Sequence, residues 1–170
     1  MMKPRNMIAI AMALIALSAC AKKRVELPPV AVGTGGNSGN TGPTQPRGPT
    51  AGSQVDFVAS VAADRIFFDT DKYDVDAPDQ ETLRSQAAWL ARYPNVRVTV
   101  EGHADERGTR DYNIALGERR ANAAKNYLAT LGVDNSRIST ISYGKERPDA
   151  LGSDEESWAR NRRAVTVTVR

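Results

Sequence analysis

Residues 96–132 read VRVTVEGHADERGTRDYNIALGERRANAAKNYLATLG, and two different periods run through them. Val96, Val98 and Val100 alternate with Arg97, Thr99 and Glu101, the two-residue repeat of a strand with one buried face. From Ile114 the spacing changes: Ile114, Gly117, Ala121, Ala124, Leu128 and Leu131 recur every three or four residues, and Gly132 supplies a stop. A strand therefore hands over to a long helix. The junction holds the only histidine of the chain among acids and arginines.

Working outward, Gln54–Ala63 predicts a leading helix and Arg65–Phe68 a short strand. After the turn-rich DTDKYDVDAPD, Asp76 as cap and Pro78 in the first turn open a helix. Its apolar stripe is Leu83, Ala87, Leu90 and Ala91, and Pro94 closes it. Beyond the central unit, Ile138–Tyr143 predicts a third strand ending at Gly144. A loop with Pro148 and a short helix near Trp158 lead to Val165, Val167 and Val169, which alternate with threonine in a last strand. The order β-α-β-α-β-β predicts an α/β two-layer sandwich of the α+β kind, with helices packed on one face of a mixed four-stranded sheet. Residues 54–170 suffice for one core.

The N-terminal third reads differently. Residues 1–19 carry Lys3 and Arg5, then an unbroken apolar run from Met7 to Leu17, then small residues, the layout of a secretory signal. The run is too short for a membrane span, which needs about 20 apolar residues. Leu17-Ser18-Ala19-Cys20 resembles the bacterial lipobox, so Cys20 is expected to carry lipid and to begin the mature chain. A lone cysteine cannot pair within the chain, which excludes a disulfide framework. Several acyl chains at ~0.8 kcal/mol per buried CH₂ would anchor it firmly. Ala21 rather than Asp after the cysteine resembles the sorting pattern for the outer membrane. Residues 20–53 then form a linker: Ala21–Ser53 holds seven of the 13 glycines and five of the nine prolines. Such a segment cannot offset its ordering entropy by burial. It spans at most ~110 Å extended and averages ~30 Å as a coil.

With Lys3 and Arg5 set aside, 21 basic residues face 20 acidic ones. No large basic field remains to bind nucleic acid.

Three chemistries fit the junction. Glu101, His103 and Asp105 alternate along a strand end, as a proton relay or zinc site would require. Against that stand the absence of a second histidine at helical spacing and of a Gly-x-Ser-x-Gly turn, so His103 reads as structural. Gly108 and Thr109 ahead of a helix suit an anion, although no phosphate-binding Gly-rich loop is present. The third is a zwitterion clamp. At 100° per residue Arg120 falls about 70° from the centre of the apolar stripe, whereas Arg119 points almost directly away. Packing can orient such an arginine, its planar fork can grip a carboxylate, and Asp105 can accept from an ammonium.

The central stretch, with RIFFDTDKYDV before it and ISYGKERP and NRRAVTV after it, resembles the C-terminal domain of the outer-membrane protein A family from about Ser53 to Arg170. Within that family it is most similar to the peptidoglycan-associated lipoproteins of Gram-negative bacteria. The resemblance implies a two-layer α/β sandwich that binds peptidoglycan non-covalently through the meso-diaminopimelate of the stem peptide, without catalysis, cofactor or metal. It maps the ligand contacts onto Asp105 of HAD and Arg120 of RRA, lined further by Phe68, Asp69, Thr70, Arg107, Thr109, Asn113 and Leu116. Leu116 equally suits the core, and Asn113 a helix cap or first turn. The resemblance also implies the Tol–Pal system, acting in envelope integrity and outer-membrane invagination at division, with a periplasmic β-propeller protein as partner. Asn161, Arg162 and Arg163 read as capping and surface ion pairs entering the last strand.

Overall fold

The computed structural model describes residues 48–169. The expected signal peptide, Cys20 and most of the linker lie outside the described residues. Four strands, β1 (Arg65–Phe67), β2 (Arg97–His103), β3 (Ile138–Gly144) and β4 (Arg163–Val169), form one sheet in the spatial order β1-β4-β2-β3. β4 is antiparallel to both neighbours, and β2 runs parallel to β3, so the sheet is mixed. The helices are α1 (Gln54–Ser60), α2 (Ala77–Arg92), α3 (Arg110–Thr130) and α4 (Glu155–Asn161). The expected two-layer α/β architecture is the one observed. The alternation read in β2 is real: Val98 and Val100 are buried against the helices, while Arg97, Thr99 and Glu101 face away.

Each helix opens on a side chain that accepts from a free N–H of its first turn: Ser53, Asp76, Thr109 and Asp154. In α2, Leu83, Ala87 and Leu90 are buried, but Ala91 is exposed and Gln86 and Trp89 are buried instead. The stripe shifts because α2 packs on two sides. Trp89 meets Phe57 of α1 edge to face with ring centroids 5.0 Å apart. Gln86 meets the sheet, its Oε1 accepting from Thr166 Oγ1 at 2.8 Å and its Nε2 donating to the Ala63 carbonyl at 2.8 Å. In α3 the expected stripe is buried except at its ends, where Ile114 is half-buried and Leu131 exposed.

Gly117 belongs to that stripe for a steric reason. A methyl group on Gly102 of β2 would overlap the Gly117 carbonyl, and one on Gly117 would overlap Ser142 Oγ. The helix thus rests on the sheet backbone to backbone, which lowers Arg120 toward the end of β2. At the opposite end of β4, Gln54 Oε1 accepts from Thr168 N–H at 2.7 Å, fixing the start of α1 there. Along the free edge of β1, the Asp79 carboxylate accepts from Phe67 N–H at 3.3 Å.

Candidate ligand-binding site

Because β4 is antiparallel to β1 and β2, the loops that follow β1 and β2 gather at one end of the sheet, beside the start of α3. Arg120 enters there from α3 with none of its surface exposed. Its Nε donates to the Lys72 carbonyl at 2.9 Å, Nη1 to His103 at 2.8 Å and Nη2 to Asp69 at 3.0 Å. The Phe68 ring lies 5.2 Å from the guanidinium carbon. All three acceptors are uncharged. Burial lowers the pKa to about 10 against the opposing pull of Asp105, so the group stays cationic at neutral pH.

Asp105 is 7% exposed and pairs elsewhere. Its Oδ1 accepts from the Arg107 backbone N–H and from Arg107 Nε, both at 3.1 Å. Its Oδ2 accepts from Arg107 Nη2 at 2.6 Å and from Arg162 Nη1 at 3.5 Å. Burial pushes its pKa up, but the Arg107 bonds outweigh that and hold it below the usual carboxylate range.

The surface reading of Asn161, Arg162 and Arg163 is overturned: they are 3%, 6% and 6% exposed. The loop after β3 and helix α4 close over them. Asn161 Oδ1 accepts from the N–H groups of Asp149 and Ala150 at 2.7 and 3.0 Å, binding that loop down. Arg162 donates to the Phe68 carbonyl at 2.9 Å and to Glu155 at 2.8 Å. Arg163 donates to the carbonyls of Asn161 at 3.3 Å and Arg147 at 3.2 Å.

Thr70, Asp105, Arg107, Asn113, Leu116 and Arg120 line one cavity of about 300 Å³. Asn113 lies in the first turn of α3, where its Nδ2 donates to the Arg107 carbonyl at 2.7 Å. Leu116 is 5% exposed and forms the apolar wall. Three expected residues contribute differently. Thr109 is the N-cap of α3, its hydroxyl accepting from Tyr112 N–H at 3.3 Å, and does not line the cavity. Phe68 and Asp69 line a neighbouring open cleft of about 430 Å³, while their carbonyls hold Arg162 and Arg120. The acids of that cleft are partly spoken for: Asp69 pairs with Lys72 at 2.9 Å, and Asp76 caps α2.

Sequence reasoning missed Asp71 and Tyr112, which complete the cavity wall together with Gly108, singled out only as suiting an anion. Asp71 has φ of +57°, a left-handed conformation that aspartate tolerates better than most residues. That turn presents its carboxylate to Tyr112 Oη, which donates at 3.0 Å. The repeated aspartates of DTD were the available signal. The cavity wall therefore holds the buried cation Arg120, the partly exposed Arg107 and two carboxylates.

Glu101, His103 and Asp105 do not converge. Glu101 and His103 approach at 3.9 Å on the far face of the sheet, while Asp105 turns to the arginines. His103 is buried, yet among the described residues neither ring nitrogen has a hydrogen-bond partner. Burial, helped by Arg163, lowers its pKa to about 4. No group of three metal-ligating side chains is gathered among the described residues.

The model of the OmpA family matches residues 67–162, which include every cavity-lining residue. The chain belongs to the OmpA family. Among OmpA-family relatives, the peptidoglycan-associated lipoprotein of Agrobacterium fabrum is 53% identical over 166 residues, covering 96% of this chain and 88% of that one. That of Rhizobium meliloti is 52% identical, with the same shares covered. The crystal structure of the peptidoglycan-associated lipoprotein from Burkholderia pseudomallei superposes with a TM-score of 0.62 at 44% identity, over 64% of this chain and 92% of that chain.

Proposed function

We propose that this OmpA-family chain is a lipid-anchored outer-membrane protein whose periplasmic domain binds peptidoglycan without turnover, through the zwitterionic end of meso-diaminopimelate. The observation that carries the reading is Arg120, a fully buried guanidinium that faces an open cavity with only neutral carbonyls as partners. A buried charge calls for an opposite charge, and a ligand carboxylate supplies it. Asp105 and Asp71, in the lining of the same cavity, supply the acceptor for the ammonium beside that carboxylate. Relatives at 53% and 52% identity bear the name peptidoglycan-associated lipoprotein, which points to the wall as the source of such a group.

Lipid on Cys20 would hold the other end in the outer membrane; no helix among the described residues is long and apolar enough to cross a membrane. Participation in the Tol–Pal system, with a periplasmic β-propeller protein as partner, completes the proposal. The test is co-sedimentation of the purified protein with wall sacculi whose stem peptides carry diaminopimelate, and with sacculi carrying lysine, which lacks the distal carboxylate. Binding to the first, weak binding to the second and no release of soluble fragments are expected. Equal binding to both walls would remove the role assigned to Arg120.

A further inference from the structure

Asp105 has no vacant acceptor position. A carboxylate offers about four lone-pair sites. Two donors occupy Oδ1, at 3.1 and 3.1 Å, and two occupy Oδ2, at 2.6 and 3.5 Å. An incoming ammonium can reach Asp105 only by exchange. Of the four donors, the Arg107 backbone N–H is fixed by its loop. The Arg162 side chain is 7% exposed and tied to Phe68 and Glu155. The Arg107 guanidinium is different: its side chain is 38% exposed, and it already has a second resting place. Its guanidinium carbon lies 4.3 Å over the Trp158 ring, and Nη1 lies 3.9 Å from Glu155 Oε2, both in α4.

We infer that Arg107 is the resident cation of the cavity, holding the place of the ligand's ammonium on Asp105 and withdrawing onto Trp158 and Glu155 when the ligand arrives. The inference rests on the proposed function and gives that site its selectivity. A lone amine must displace two charge-assisted bonds from Asp105 and gains in return only its own bonds to the carboxylates. A group with a carboxylate beside the amine also reaches Arg120, which has five N–H groups and spends three on carbonyls. Competition from Arg107 thus rejects simple amines and passes zwitterions. The same exchange frees the guanidinium from Asp105 and leaves it to its existing contacts with α4 when the cavity is filled.

The test uses calorimetric titration of the full chain and of Arg107→Gln with two probes, meso-diaminopimelate and 1,5-diaminopentane, which keeps the amines and lacks the carboxylates. Wild type should bind the first and not detectably the second. In Arg107→Gln, diaminopimelate should bind about threefold to tenfold tighter, and diaminopentane should become detectable. Trp158 fluorescence should change on filling the wild type and stay constant in the variant. Weaker binding of diaminopimelate by Arg107→Gln would make Arg107 a direct ligand contact, and an unchanged ratio between the probes would remove the competition; either overturns the inference while leaving the proposed function standing. Failure of the wild type to bind diaminopimelate would overturn both. Should Arg107→Gln not fold, the Arg107 Nε–H resonance of the wild type decides: it must lose its hydrogen-bonded shift on addition of diaminopimelate, and a resonance that does not move sinks the inference.

Discussion

Arg120 Nη1 donates to the main-chain carbonyl of His103 across 2.8 Å, so the cation that lines the cavity also closes the end of β2. Folding and the proposed binding therefore share one side chain. Arg120→Ala should cost about 3 kcal/mol or more of stability, because three carbonyls lose a charged donor. Where the variant remains folded, affinity for the wall should fall ~tenfold to more than ~hundredfold. Arg120→Lys should also lose binding, since an ammonium lacks the planar fork. Arg119→Ala is the control: Arg119 is exposed and its guanidinium carbon lies 5.8 Å over the Tyr73 ring, outside the cavity. Thermal melts and sacculus co-sedimentation of the three variants measure both effects. Equal losses in Arg119→Ala and Arg120→Ala would end the clamp.

The buried imidazole makes stability depend on pH. His103 has a folded pKa of about 4 against 6.5 in the open chain, so the unfolded state takes up more protons between those values. Stability should fall by about 3 kcal/mol as pH drops through that window and level off below it. Asp79 works in the opposite sense. Burial raises its pKa to about 6, so its contribution is present below 3.8 and lost as pH rises through 6. In urea titrations from pH 7 to 4, His103→Leu should flatten the acid loss and Asp79→Asn should steepen it.

Contact between α3 and β2 tolerates no side chain. Gly102→Ala should prevent folding, because its methyl meets the Gly117 carbonyl, a backbone atom that cannot move aside. Gly117→Ala meets Ser142 Oγ first and should cost about 1–3 kcal/mol. Pairing it with Ser142→Ala should cost less than the sum of the two single changes, as expected for neighbours that share one space. Additive losses in denaturant melts would show that the hydroxyl is not the obstacle.

Cys20→Ser should abolish incorporation of labelled fatty acid and release the protein from the outer-membrane fraction, while leaving sacculus binding of the purified chain intact. Lipid still entering the variant would remove the anchor assigned to Cys20.

The strand and helix around the junction were legible because each keeps a single period over several repeats. Arg120 was legible too, since a residue on the flank of an apolar stripe is drawn inward by the packing of its neighbours. The burial of Arg162 was not. What covers it is the loop after β3, held by side-chain bonds from Asn161, and such bonds leave no periodic trace. Asp105 was named as an acceptor and Arg107 as a lining residue, but the bond between them was not foreseen, because a pair two residues apart in a loop leaves no periodic trace. Asp71 escaped because one backbone angle decides where its carboxylate is presented. Thr109 is a cap of α3 and lies outside the cavity lining, since a threonine just ahead of a helix suits either place.

β1 leads toward Arg163 of β4, while Gln54 fastens the start of α1 beside Thr168 at the other end of that strand. A pull between the incoming chain at Gly48 and the ligand proposed for Arg120 would therefore run along the strands. The short α1, held by Phe57 against Trp89, should yield first. Traction then drags β1 backward along β4, and because ladder hydrogen bonds lie across the strands, all of them must slip together instead of parting in sequence. The domain is loaded in shear, the direction in which a sheet resists tearing best.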